Sequence, residues 1–225
     1  MDQLQAIKSR YEALHHWIAG ELGTTLPYPP LLSDEAAERF ALYLDLLELW
    51  TVRVDLVAPA SREEHLERHI IDCTAAAMVF GRCEDPSRWF VDLGSGAGLP
   101  GLILATLEPE RPVMLCEPRE KRAVFLKEAV SHLKLLEVVV VCARAEQLSA
   151  KEFANVEAVF ARAVGSSALL ISTAARLGAA RAVELVGPSW DPAAVATGQK
   201  PRVTSYSLGP NGPQRKLAVW SNDAH

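Results

Sequence analysis

From Trp89 to Leu93 the chain runs through five strand-forming residues, WFVDL, and enters a loop with glycines at 94, 96, 98 and 101. Closely spaced glycines after a strand allow positive φ and let a ligand approach the main chain. The same alternation continues downstream. Residues 102–107 read as a helix, 113–116 as a second strand and 121–133 as a helix. Residues 138–142 and 156–160 read as the third and fourth strands, 168–177 as a helix and 182–186 as the fifth strand. Short strands alternating with helices predict an α/β fold, a parallel sheet covered on both faces. The end of the chain differs. Residues 203–208 and 216–220 flank Gly209-Pro210-Asn211-Gly212-Pro213 and predict an antiparallel hairpin that closes the sheet.

Residues 1–88 carry a helical pattern. Residues 2–20 predict one helix, and Pro27, Pro29 and Pro30 prevent its continuation. Ser33 is placed to cap a second helix from Asp34 to about Trp50, with Ala37, Phe40, Ala41, Leu44 and Leu47 as its apolar stripe. Ser61-Arg62-Glu63-Glu64 is a capping box that opens a third helix, with Leu66, Ile70, Cys73, Ala77 and Phe80 along its seam. The division expected is therefore a helical cap over 1–88 and a sheet-bearing core over 89–225.

Composition excludes several classes. With 49% hydrophobic and 23% charged residues, the chain is neither disordered nor fibrous. No apolar run approaches the roughly 20 residues that span a bilayer, so no membrane partner is expected. Met1 to Gly20 carries Asp2, Lys8, Arg10 and Glu12 and does not read as a signal peptide. Cys73, Cys83, Cys116 and Cys142 show no C-x-x-C spacing, which points to a reducing cytoplasm. The net charge of −5 is uneven: residues 1–88 hold 8 Lys and Arg against 15 Asp and Glu, and the remainder 15 against 13. A nucleic-acid partner would have to use a local patch on the second half.

In a doubly wound sheet the ligand sits at the carboxyl ends of the strands, near the point where strand order reverses. Glu117 ends the second strand, where a carboxylate can accept hydrogen bonds from both ribose hydroxyls. With the glycine loop it defines a site for an adenosine-type cofactor. Residues 96–101, GAGLPG, also fit G-x-G-x-x-G, the dinucleotide fingerprint. Asp92 argues against that reading, because it would face a doubly charged pyrophosphate. A carboxylate there instead attracts the ammonium and sulfonium of S-adenosyl-L-methionine. D-x-G-x-G-x-G, here Asp92, Gly94, Gly96 and Gly98, followed by an acid after the second strand, resembles the pattern of Rossmann-like methyltransferases.

Residues 90–101, FVDLGSGAGLPG, are similar to the cofactor loop of the bacterial small-subunit rRNA guanine-N7 methyltransferases, the RsmG (GidB) family. Lys121-Arg122 with Phe125-Leu126, Arg144-Ala145-Glu146 and Ala161-Arg162-Ala163 extend the resemblance, as do Trp50 with Leu56 and His69 with Asp72. It covers roughly residues 40–187. The resemblance implies a class I methyltransferase fold: a mostly parallel seven-stranded sheet with a terminal antiparallel hairpin and an N-terminal helical cap. It implies S-adenosyl-L-methionine as cofactor and 16S rRNA or the small ribosomal subunit as partner; a cytoplasmic monomer is the expectation beside it, with the oligomeric state left open by the sequence. Carried over by position, cofactor contacts fall on Gly94, Leu99, Ala145, Glu146 and Arg162. The chain departs from the family at Thr51, Asp55, Val57 and Cys73, and at Val186-Gly187, where the family keeps Lys-Gly.

Arg162, after the fourth strand, suits a cofactor carboxylate or an RNA phosphate through its planar fork, or a plain surface ion pair; it is the candidate catalytic residue. Guanine N7 has a lone pair and no proton to lose, so the reaction needs alignment and no general base. Arg119, Lys121 and Arg122 are either an RNA-binding patch or the solvated start of a helix. Lys200, Arg202, Arg215 and Lys216 add positive charge near the hairpin, and Trp190 is a candidate for base stacking. His65 and His69, with Asp72 one turn on, share a helix face, but Leu66 stands where a zinc protease has its glutamate, so no metal is expected. Two other readings stay open: a methyltransferase of a small molecule or protein, and a cofactor-binding relic without activity.

Overall fold

The structure, a computed structural model, describes residues 2–151, 155–163, 165–195 and 199–222. Helix α1, Gln3–Leu22, stops at Gly23, whose φ of 63° is the left-handed cap a glycine accepts readily. Helix α2, Asp34–Thr51, starts where Ser33 accepts a hydrogen bond from the Ala36 amide. The capping box at Ser61 and Glu64 opens α3, Arg62–His65. This helix runs through a π-helical stretch, Leu66–Ile71, into α4, Asp72–Phe80. The sequence pattern predicts one regular helix here. The wider π turn re-phases it, so Asp72 and Cys73 both point inward and α4 is buried on nearly all sides.

The sheet has seven strands: β1 Trp89–Leu93, β2 Val113–Cys116, β3 Val138–Val141, β4 Val156–Arg162, β5 Arg181–Val186, β6 Arg202–Ser207 and β7 Gln214–Ser221. Their order is β3-β2-β1-β4-β5-β7-β6. The first five strands run parallel, and β7 inserts antiparallel between β5 and β6. Helices α5 Gly101–Leu107, α6 Glu120–His132 and α7 Ser167–Arg176 connect them. Strand order reverses at β1, so the switch-point crevice lies above the tips of β1 and β4.

Side chains alternate across the sheet with the period of two that extended backbone imposes. Phe90, Leu115 and Phe160 face α1, α2, α4, α5 and α6 in one continuous core. Val91, Met114 and Val159 face α7 on the other side. Residues of the helical cap therefore share a core with the sheet. Phe80 of α4 meets Phe90 and Phe160 edge-on, with centroids 6.0 and 5.0 Å apart. Such pairs add about 0.5–1.5 kcal/mol each beyond area burial. A buried ion pair joins the layers too. Arg111 lies 2.7 Å from Glu108 and donates to the carbonyls of Cys83, Asp85 and Arg88, while Tyr28 donates to Glu108 over 2.6 Å. Each charge is satisfied, which is what makes a buried pair tolerable. No helix among the described residues is long and apolar enough to cross a membrane.

Candidate functional site

The loop after β1 is stitched to β2. Gly94 and Ser95 donate their amides to the carbonyl of Cys116 over 2.8 and 3.0 Å. Glu117, at the tip of β2, accepts from the Gly96 amide through Oε2 and from the Arg119 amide through Oε1, both at 2.9 Å. The expected ribose acceptor thus also fixes the loop, and each oxygen keeps a lone pair for a further donor. Gly96 has a φ of 55°, a conformation a side chain rarely adopts, and a Cβ there would lie 3.6 Å from a nitrogen of Arg122. Gly94 and Gly96 are partly exposed, whereas Gly98 and Leu99 are buried. The first pair presents backbone to a ligand, and the second shapes the loop from inside.

Asp92 lies beneath the loop. Its Oδ2 accepts from the Gly101 amide at the start of α5 over 3.0 Å, and its Oδ1 is buried with no partner among the described residues. A Cβ on Gly101 would sit 2.7 Å from Oδ2, so glycine at 101 lets the helix close onto the carboxylate. Burial pushes the Asp92 carboxyl up to about 7; the Gly101 hydrogen bond and the nearby Ser95 hydroxyl oppose this, and Glu117 adds to it. Asp92 therefore supports the loop and sets the charge beneath it.

Ala145 is buried in a short turn after β3, and Glu146 beside it is exposed. The Ala145 carbonyl accepts from Arg176. Arg119 and Lys121 are exposed at the start of α6. Arg122 instead reaches over the glycine loop to the carbonyl and carboxylate of Asp55. With Arg53 these residues line a shallow cavity of about 320 Å³.

S-adenosyl-L-methionine fits the residues present. Exposed loop backbone at Gly94 and Gly96 lies against Glu117, and an unpartnered carboxylate oxygen lies below. Gly94, Gly96 and Glu117 would hold the nucleoside end, with Ala145 and Glu146 at the adenine side. Asp92 would complement the positive charge.

A second cavity, of about 400 Å³, opens over the tips of β4 and β5. Asp72, Arg162, Glu184, Trp190, Tyr206 and Arg215 line it. Arg162 is not a simple surface ion pair. It lies 3.2 Å from Asp72 Oδ2, donates to the Arg68 carbonyl over 2.8 Å and reaches Cys73 Sγ at 3.6 Å. The other Asp72 oxygen accepts from Arg215 over 2.8 Å. Asp72 thus binds two guanidiniums, so this triad carries one net positive charge, and Glu184 on the same lining faces it with a carboxylate. Arg215, expected on the hairpin surface, turns inward for this reason. Lys216 donates to the Trp190 carbonyl over 3.0 Å and stands directly opposite Val186 in the β5–β7 pair. It brings an ammonium to the position where Val186 has none.

His65 and His69 stack with centroids 5.4 Å apart. Burial and the nearby Arg162 push His69 down to about 4. Among the described residues no group of three or more His, Cys, Asp or Glu is arranged to hold a metal, and Asp72 is committed to its arginines. Neither Tyr43 nor Glu184 stands out as a site residue in the sequence. A lone carboxylate in the apolar strand RAVELV was the available signal for Glu184; Tyr43 looks like any aromatic on a core-facing helix.

Among solved structures, a methyltransferase domain described as delta-N METTL16 MTase domain is similar to the chain with a TM-score of 0.53 and 16% identity, covering 83% of this chain and 96% of that one. This likeness supports the fold alone. Curated proteins named Ribosomal RNA small subunit methyltransferase G are similar in sequence. That of Roseiflexus castenholzii is 39% identical over 142 residues, 62% of this chain and 59% of its own length. That of Psychrobacter sp. is 33% identical over 144 residues, 64% of this chain and 62% of its own. That of Thermobifida fusca is 39% identical over 149 residues, 63% and 60%. The chain spans about six-tenths of the length of these relatives. The family model described as rRNA small subunit methyltransferase G matches residues 36–185, a span that takes in most of α2, the glycine loop, Glu117, Arg162 and Glu184. With more than half of its length matched in this way, the chain belongs to the rRNA small subunit methyltransferase G family.

Proposed function

We propose that this protein is an S-adenosyl-L-methionine-dependent methyltransferase that modifies N7 of a guanine in 16S rRNA of the small ribosomal subunit. The observation that carries the reading is the adjacency of two half-sites in a family-matched chain. A glycine loop with Glu117 lies over β1 and β2, and a cavity edged by Arg162 and Arg215 lies one strand away over β4 and β5.

The bound cofactor supplies an electrophilic methyl group on a sulfonium. Guanine N7 would contribute only its lone pair, and the residues of the two half-sites would set its approach to that methyl group. No proton leaves the base, so the protein's task is to hold the two reactants in line. Arg162 and Arg215 favour phosphate at the rim, while Asp72 holds their spacing. Arg119, Lys121 and Arg53 offer a second contact for the RNA backbone beside the cofactor loop. We take the protein to act as a monomer in the cytoplasm.

The test is mapping of N7-methylguanine in small-subunit rRNA with and without the protein, followed by single-turnover transfer to unmodified subunits. Appearance of one N7-methylguanine supports the reading. Cofactor binding without transfer to any RNA would favour a relic, and transfer to a small molecule or protein would replace the substrate.

A further inference from the structure

We propose that Glu184 reads the Watson–Crick edge of the target guanine, and so makes the β4–β5 cavity selective for guanine over adenine. This rests on the reading above, that a guanine is methylated at N7.

Glu184 is a carboxylate in an apolar strand, and only 6% exposed. Ala182, two residues before it, packs in the core beneath α7, so Glu184 leans to that side of the sheet. Ser167, at the start of α7, donates to Oε2 over 2.6 Å. Among the described residues Oε1 accepts no hydrogen bond and no cation pairs with the group. Burial raises its pKa, opposed only by Ser167. The free oxygen is not sealed in the core: it opens onto the cavity, where an entering donor can reach it. Glu184 lines the same cavity as half-buried Trp190, whose ring is held edge-on to Trp220.

Guanine supplies donors that match the free oxygen. Its N1–H and N2 amino group are adjacent donors that match an acceptor-only carboxylate. They lie at the far end of the purine from N7. The glycine loop leaves β1, and β5 lies two strand spacings away, roughly 10 Å. A base with N7 toward the loop therefore points its Watson–Crick edge toward β5. Adenine in the same pose turns the N1 lone pair and a carbon-bound hydrogen toward the carboxylate, which repels the first and gains nothing from the second. Trp190 offers an aromatic face for stacking, as flipped-out bases require.

The experiment uses the full chain. With S-adenosylhomocysteine present, GMP should quench Trp190 fluorescence at a concentration about tenfold or more below AMP; Trp190→Phe assigns the signal. Glu184→Gln keeps the Ser167 contact but faces the guanine donors with an amide, and should erase the preference while leaving cofactor affinity unchanged. In RNA, Glu184→Gln should lower kcat/KM about 30–100-fold. Inosine, which lacks the N2 amino group, should impair the unmutated protein at the mapped nucleotide and add nothing to the loss in Glu184→Gln. Equal response to GMP and AMP, or a preference that survives Glu184→Gln, overturns the inference. If the unmutated protein methylates no RNA, the functional reading fails, and the nucleotide comparison still decides the role of Glu184.

Discussion

Tyr43 on α2 donates its phenolic hydrogen to the carbonyl oxygen of Ala97 in the glycine loop over 2.9 Å. Both groups are buried, and desolvation pushes the Tyr43 phenol well above its ordinary pKa, so it stays a donor at any working pH. The helical cap thus holds the glycine loop proposed to carry the cofactor. Tyr43→Phe leaves the carbonyl without this donor and should lower stability by about 1–2 kcal/mol. Cofactor affinity should fall several-fold at the same time. Denaturant unfolding and calorimetry check both, and unchanged affinity in a destabilised Tyr43→Phe protein would show that the contact supports the fold alone.

Asp92 predicts a pH signature. With its carboxyl at about 7, it is half neutral near neutral pH. A cationic ligand above the loop favours the ionised form, so binding below pH 7 must expel a proton. S-adenosylmethionine affinity should therefore weaken as pH falls from 8 to 6, approaching about tenfold per pH unit at the low end. S-adenosylhomocysteine, without the sulfonium charge, should show a shallower slope. Parallel slopes for the two ligands in calorimetry would remove Asp92 from charge recognition.

Asp72 and Arg162 differ in how many partners they leave behind. Removing Arg162 leaves Asp72 paired with Arg215, whereas removing Asp72 leaves two guanidiniums facing each other. Asp72→Ala should lower stability by about 3 kcal/mol, and Arg162→Ala by roughly half of that. Arg162→Ala should still cut methyl transfer by on the order of a hundredfold. Arg162→Lys should restore part of it, since an ammonium lacks the planar fork. The reverse order of stabilities would mean that the arginines are held chiefly by backbone carbonyls.

A chain beginning at Trp89 should not fold cooperatively. It lacks Phe80, which packs on Phe90 and Phe160, and Tyr28, the donor to buried Glu108. It exposes the whole cap-facing side of the sheet, and apolar burial there is the main term holding the layers together. Circular dichroism and hydrogen exchange give the answer. Native-like protection of β1 and β4 amides in the shortened chain would show that the cap is dispensable.

Most elements could be read from local pattern because their causes are local. Ser33 and Ser61 cap helices through neighbours three residues on. The apolar runs at β1, β2 and β4 mark strands buried on both faces. The glycine loop and Glu117 could be read for the same reason, since a strand tip and a positive φ need particular residue types. The π stretch at 66–71 could not, because Asp72, which it turns inward, finds its partners in Arg162 and Arg215, 90 and 143 residues away.

The sequence alone determined the alternation of strands and helices, the terminal hairpin and the place of the glycine loop, all set by short-range propensity and spacing. The tertiary structure alone decided which charges meet. Arg215 turns inward, Arg122 bridges to Asp55, Lys216 faces Val186 across two strands, and Glu184 is left with one donor in a cavity. Those outcomes depend on desolvation and on pairings between distant segments, which no local pattern encodes.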